Sequence, residues 1–131
     1  MKKIRNLLVV IGGAIYLALG LFHTTFWTLF NWDKELTRLS QVNSNLMQML
    51  NIGIAIMVIS LGLILIIYRR EVQNSRLGRA LLFVSFLFFL GRMIAEFYFP
   101  KGVVPLGVVL FAISLVYLIP AIKKGTPEVS Y

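Results

Sequence analysis

The sequence predicts an all-α integral membrane protein, in which four transmembrane helices pack as a small antiparallel bundle. Three observations carry this prediction. Hydrophobic residues make up 59% of the 131 positions and charged residues only 14%, which lies outside the range of soluble globular domains. The apolar residues form four runs, each close to the ~20 residues that cross a bilayer. Lysine and arginine lie almost entirely at the ends of these runs.

The length and the absence of cysteine limit the organisation of the chain. A chain of 131 residues suits one four-span membrane domain, with predicted spans at residues 7–30, 45–68, 80–99 and 103–122. The tail, residues 123–131, is predicted to be disordered. Without cysteine there are no disulfides and no thiolate sites, and a single histidine argues against an all-histidine metal or haem site. We therefore predict no metal and no cofactor.

The first apolar run begins like a signal peptide, with the basic start Met1-Lys2-Lys3-Ile4-Arg5. It extends well beyond the ~7–15 apolar residues of a cleavable core, and we predict an uncleaved first helix. Small and polar residues recur along it at helical spacing and would form one stripe: Gly13, Tyr16, Gly20, His23 and Trp27. Glycines in such a stripe allow a neighbouring helix to approach closely.

A polar connector follows at residues 31–41. Its two acids and two bases balance, so it selects no charged substrate. Residues 33–39 could form a short surface helix, but a solvated connector is the favoured interpretation. Trp27 and Trp32 flank the point where the first run ends, and indoles favour the membrane interface.

The second run is polar in its first third, with Asn45, Gln48 and Asn51, and apolar beyond. Residues 71–79 are predicted to form a short basic loop before the third run, which is rich in phenylalanine. Pro100-Lys101-Gly102 predicts a tight turn, since proline and glycine punctuate helices. The fourth run has Pro105 in its first turn, where proline is tolerated.

The distribution of lysine and arginine predicts the orientation. Nine of them fall at the N-terminus, in the second loop or in the tail, three fall on the opposite side, and Arg92 lies within the third run. This bias predicts that both termini are cytoplasmic in a multi-pass protein of a bacterial inner membrane. The same residues would contact anionic lipid. They form no contiguous basic face, so we predict no nucleic-acid partner.

Five polar side chains within the predicted spans form the candidate ligand-binding pocket: His23, Gln48, Asn51, Arg92 and Glu96. At ~1.5 Å rise per residue, they lie about 18 to 25 Å from the cytoplasmic ends of their helices. They would therefore share one layer in the outer half of a ~30 Å hydrocarbon core. Arg92 and Glu96 are four residues apart, which places them on one helical face. Charged groups inside spans are functional candidates by default.

Each of these residues also has a purely structural interpretation. His23 would be a hydrogen-bonded interface residue beside neighbouring threonines. Gln48 and Asn51 would join helices through their amides. Arg92 and Glu96 would form an ion pair, or would extend towards the interface near the helix end. The sequence leaves both interpretations open.

The function that the sequence favours is binding, by a module or accessory component that holds a lipid, another small amphipathic molecule or a membrane protein partner. Arg92 would then contact an anionic or carbonyl group. One alternative is an isomerase-like membrane enzyme in which His23 and Glu96 move protons. Another is a small transporter.

Each alternative has a family that the chain resembles only in size or helix count. The chain resembles the sterol isomerases in helix count and the small multidrug transporters in length. Those families place carboxylates in early spans, whereas residues 7–30 contain no acid. No family motif therefore assigns a role to a residue of this chain.

Overall fold

The computed structural model describes residues 2–99 and 103–122, and no strand occurs among them. These residues form α1 (Lys2–Thr24), α2 (Phe26–Leu29), α3 (Trp32–Glu35), a 3-10 turn (Leu36–Arg38), α4 (Gln41–Ile67), α5 (Arg69–Asn74), α6 (Arg76–Tyr98) and α7 (Val104–Ile122). Four of these helices, α1, α4, α6 and α7, are long and apolar enough to cross a membrane. The predicted all-α class with four potential spans is thus confirmed. The predicted turn at 100–102 and tail at 123–131 lie outside the described residues.

The first helix differs from its prediction at both ends. It begins at Lys2, before the predicted start at residue 7, because a helix can extend beyond an apolar run into polar residues. It stops at Thr24, where the hydroxyl groups of Thr24 and Thr25 donate hydrogen bonds to the carbonyls of Leu21 and Phe22 (2.6 and 2.7 Å). Such side-chain bonds compete with the helical ladder, and α2 resumes after Thr25 with four residues.

The connector between the first two long helices is structured. Asn31 adopts a left-handed conformation, with φ of 47°, which asparagine tolerates better than most residues. The chain then forms α3 and the 3-10 turn, which bury Trp32 and Leu36. The short-helix alternative for residues 33–39 is therefore the one observed, with its start one residue earlier.

The prediction of a basic loop at residues 71–79 is wrong, because most of this segment is helical. α5 covers Arg69–Asn74 and buries Val72 and Gln73. α6 then starts at Arg76, four residues before the predicted third span. Ser75 caps it by accepting a hydrogen bond from the backbone N–H of Gly78 (2.9 Å), as serine commonly does at a helix N-terminus. The hydropathy pattern had missed these polar helical turns.

The chain divides into two compact units. The first, which we call the α1–α4 unit, comprises Gly13–Ile64. The second, the α6–α7 unit, comprises Met1–Gly12 and Leu65–Tyr131.

In the α1–α4 unit, glycines allow the two long helices to approach closely. A Cβ atom on Gly62 would lie 2.8 Å from the carbonyl oxygen of Gly13 and 2.9 Å from Cγ of Leu17. A Cβ atom on Gly20 would overlap the side chain of Ile59. The close approach predicted from the glycines of the first run is therefore observed.

The α6–α7 unit has an aromatic core. The rings of Phe89 and Tyr117 stack with centroids 5.2 Å apart and an interplanar angle of 10°. Tyr117 is fully buried, and its hydroxyl donates a hydrogen bond to the carbonyl of Gly12 (2.7 Å). A phenol that is buried on an apolar face usually finds such a partner.

Candidate functional site

The polar end of α4 meets the end of α1 through His23 and Asn51. Nδ1 of His23 lies 2.7 Å from Oδ1 of Asn51. The amide Nδ2 of Asn51 donates a second hydrogen bond to the backbone carbonyl of His23 (3.0 Å). One amide therefore holds both the side chain and the backbone of the histidine.

This double contact determines which ring nitrogen carries the proton. A backbone carbonyl can only accept hydrogen bonds, so the NH₂ group of Asn51 must face it. The Oδ1 atom then faces His23 Nδ1, and because Oδ1 can only accept, Nδ1 must donate. In the neutral imidazole the other nitrogen, Nε2, is left with a lone pair as an acceptor.

His23 and Asn51 lie on the wall of an open hollow of about 470 Å³. A volume of this size falls within the range of small-molecule sites. The wall is formed by His23, Thr24, Trp27, Trp32, Asn51, Ile52, Ala55, Ile56 and Ile59. The hollow thus combines isoleucine side chains and two indoles with one imidazole–amide pair.

The second ring nitrogen of His23 is accessible. Within residues 2–99 and 103–122, no group bonds to Nε2, and no buried polar side-chain atom lacks a partner. Nε2 must therefore lie at an accessible surface. The imidazole is held by Asn51 at one nitrogen and is available to a ligand at the other.

Aromatic rings restrict the imidazole further. The ring of Phe26 lies against that of His23, with centroids 4.5 Å apart and an angle of 31° between the planes. Phe26 contacts Trp32 edge to face at 5.8 Å, and Trp27 contacts Trp32 at 6.2 Å. Since Trp32 is buried, this cluster anchors the short helices α2 and α3 beside the hollow.

Gln48 lines a second, smaller hollow of about 310 Å³. Its wall is formed by Trp27, Trp32, Asp33, Leu36, Thr37, Leu39, Gln41, Ser44 and Gln48. The amide of Gln48 donates to the carbonyl and the hydroxyl of Ser44, at 3.3 Å each. The two hollows share the indoles of Trp27 and Trp32.

Arg92 and Glu96 belong to the α6–α7 unit. Their closest charged atoms, Nη1 and Oε2, are 3.5 Å apart, and the side chain of Arg92 is 53% exposed whereas that of Glu96 is 12% exposed. The second carboxylate oxygen of Glu96, Oε1, accepts a hydrogen bond from the backbone N–H of Val103 (2.9 Å). Glu96 thereby connects the end of α6 to the start of α7, which is a structural role.

A further polar cluster was not predicted from the sequence. Arg5 and Gln73 are buried, and Nε of Arg5 donates to Oε1 of Gln73 (3.2 Å). Nε2 of Gln73 donates in turn to Oδ1 of Asn6 (3.1 Å). This cluster ties the start of α1 to α5 within the α6–α7 unit. Only the helical character of residues 69–74 could have indicated this cluster in the sequence. The polarity of these residues hides that character from a hydropathy pattern.

The five predicted site residues are thus placed in three groups. His23 and Asn51 are in direct contact, and Gln48 lines the neighbouring hollow. Arg92 and Glu96 pair with each other in the other unit. A single pocket formed by all five stays a prediction.

No protein-family model matches this sequence, and no curated protein or solved structure matches it either.

Proposed function

We propose that this protein is a multi-pass protein of a bacterial inner membrane that binds a lipid or another small amphipathic molecule. The binding site is the larger hollow of the α1–α4 unit, beside His23 and Asn51. Both termini face the cytoplasm, so this hollow opens in the outer half of the bilayer. The observation that carries the proposal is a histidine with one accessible ring nitrogen among the residues that line an otherwise largely apolar hollow.

The exposed surfaces of the long helices support insertion in a membrane. Large apolar side chains are more than half exposed along α1 and α4, including those of Leu21, Ile52 and Ile56. Soluble proteins rarely expose such continuous apolar surface, whereas lipid is a suitable solvent for it. The bias of lysine and arginine towards one set of loops supports the orientation.

The composition of the hollow supports an amphipathic ligand. Isoleucine and indole side chains form most of its wall, and would contact an acyl chain or another apolar group. His23 supplies a polar contact at one point of this wall. Binding sites for small molecules commonly combine an apolar lining with a few fixed polar groups.

The position of Glu96 favours binding over the isomerase alternative. One of its carboxylate oxygens accepts from Val103, and the other faces Arg92. A carboxylate with both oxygens engaged stabilises the helix connection and is poorly placed to exchange protons with a substrate. The proposed site therefore centres on His23 and Asn51.

A matched pair of substitutions on α4 tests whether the hollow holds a ligand. Ala55→Leu adds bulk to the wall of the hollow, whereas Gly53→Leu adds the same side chain where a Cβ meets nothing within 4 Å. Native mass spectrometry of protein purified in mild detergent should detect a bound molecule on the unmodified protein and on Gly53→Leu. Ala55→Leu should lose it. Equal occupancy of both variants, or none on the unmodified protein, would refute the proposal.

Cysteine labelling in intact cells tests the orientation, because the chain has no cysteine of its own. A membrane-impermeant thiol reagent applied from outside should label His23→Cys and Gln48→Cys. It should leave Leu63→Cys, near the opposite end of α4, unlabelled. Labelling of Leu63→Cys alone would reverse the proposed orientation.

A further inference from the structure

We infer that the ligand is a neutral glycerolipid of the mono- or diacylglycerol class, whose free hydroxyl donates a hydrogen bond to Nε2 of His23. Asn51 is the positioning residue that makes Nε2 an acceptor. This inference rests on the proposed binding function and specifies the polar end of the ligand.

The imidazole of His23 offers the ligand a hydrogen-bond acceptor. Because Asn51 holds the proton on Nδ1, the neutral ring presents a lone pair at Nε2. The hydroxyl hydrogen of Thr24, on the same wall, is already donated to the carbonyl of Leu21 (2.6 Å). A ligand therefore has to bring a donor to this side of the hollow.

The wall of the hollow carries no charged side chain. The residues that form the wall include no lysine, arginine, aspartate or glutamate. A phosphate or carboxylate head group would enter without a counter-charge, and burying an unpaired ion in apolar surroundings is strongly unfavourable. An ammonium group would likewise be buried without a counter-charge. The wall thus favours an uncharged head group.

The two indoles on the wall are hydrogen-bond donors. Trp27 and Trp32 line the hollow, and the N–H group of an indole is a donor only. A ligand that carries an acceptor as well as a donor can therefore bond an indole N–H that it reaches. An acylglycerol combines both, since its free hydroxyl donates and its ester carbonyl accepts.

The size of the hollow limits how much of the ligand it covers. About 470 Å³ corresponds to roughly fifteen water volumes. This is enough for a glycerol ester and the first part of one chain. The hollow is open, and Ile52 and Ile56 on its wall are more than half exposed, so the remaining chain can extend into the surrounding lipid.

A ligand series on the unmodified protein provides the test. A monooleoylglycerol that carries a photoreactive diazirine in its chain is cross-linked to the purified protein. Competition is then measured with monooleoylglycerol, its dimethyl ether and oleate, which share one chain and differ in the head group. Monooleoylglycerol should compete about ten- to a hundredfold better than the other two, because an unmatched acceptor or charge loses that much affinity.

Variants test the role of the imidazole. His23→Phe keeps an aromatic ring but removes the acceptor Nε2. This variant should bind monooleoylglycerol and its dimethyl ether equally. Asn51→Leu removes the acceptor for the Nδ1 proton and should lose the preference for monooleoylglycerol over its dimethyl ether. Cross-linking at residues of the hollow, and its loss in Ala55→Leu, confirms that the competition reports on this site.

The outcomes separate the inference from the proposed function. If the dimethyl ether or oleate competes as well as monooleoylglycerol, the head-group assignment is refuted while the hollow remains a lipid site. If the probe is cross-linked equally to the unmodified protein and to Ala55→Leu, the hollow is not the site and both conclusions fail. Because the series uses the unmodified protein, it decides the head group even if a variant does not fold.

Discussion

Replacing Gly78 with alanine should disrupt the corner between α5 and α6. Gly78 lies in the first turn of α6 and is buried. A Cβ atom there would overlap the backbone of Val72 at its carbonyl oxygen and Cα, and would lie 2.5 Å from its carbonyl carbon. Backbone atoms cannot move aside as a flexible side chain can, so the corner itself would have to shift by about 1 Å to restore ordinary contact.

The expected magnitude is a balance of three effects. Alanine is favoured over glycine inside a helix by about 1 kcal/mol. Overpacking typically costs about 1–3 kcal/mol. A shift of the corner also strains the cap formed by Ser75, which accepts from the N–H of Gly78 (2.9 Å) and is worth about 1 kcal/mol. We expect a net loss of about 1–3 kcal/mol in the free energy of unfolding.

Gly91 provides a matched control on the same helix, because a Cβ atom there meets nothing within 4 Å. Thermal unfolding in detergent, followed by helical circular dichroism and by loss of the monodisperse peak in gel filtration, compares the two variants. Gly78→Ala should unfold several degrees below the unmodified protein, and Gly91→Ala at or above it. If Gly78→Ala is as stable as Gly91→Ala, the close approach at Val72 is not a feature of the folded protein.

Two further predictions concern the α6–α7 unit. Tyr117→Phe should lower the free energy of unfolding by about 1 kcal/mol, because it removes the hydrogen bond to the carbonyl of Gly12 while it keeps the aromatic stacking; an unchanged unfolding temperature would contradict that bond. Glu96→Ala should destabilise the protein more than Arg92→Ala does, because Glu96 also accepts a hydrogen bond from Val103. The unfolding temperature of Glu96→Gln, which retains an acceptor oxygen, should fall between those of the two alanine variants. The three unfolding temperatures, measured side by side, decide whether the backbone contact or the ion pair dominates.

The sequence alone determined the class of the protein and the number of its long helices. Hydropathy is a local property, so a run of about 20 apolar residues predicts a potential span without reference to its neighbours. The same pattern overlooked α5, because Arg69–Asn74 is polar. Two buried side chains in that segment, Val72 and Gln73, give it a reason to fold that no local average of hydropathy contains.

The candidate site could be predicted only in part. The sequence selected His23 and Asn51 because polar residues within spans require partners. It also assigned Gln48, Arg92 and Glu96 to the same layer from their depth along each helix. Depth follows from residue counts, but it does not say which direction a side chain faces around the helix axis.

Only the tertiary structure decided which polar groups meet. The break after Thr24, the close approach of Gly62 to Gly13 and the aromatic cluster around Trp32 together set the rotation of α1 against α4. That rotation brings the amide of Asn51 to both the ring and the carbonyl of His23. Hydrogen bonds act over about 3 Å, a distance smaller than the rise of a single helical turn, so they depend on packing that a residue count along one helix cannot supply.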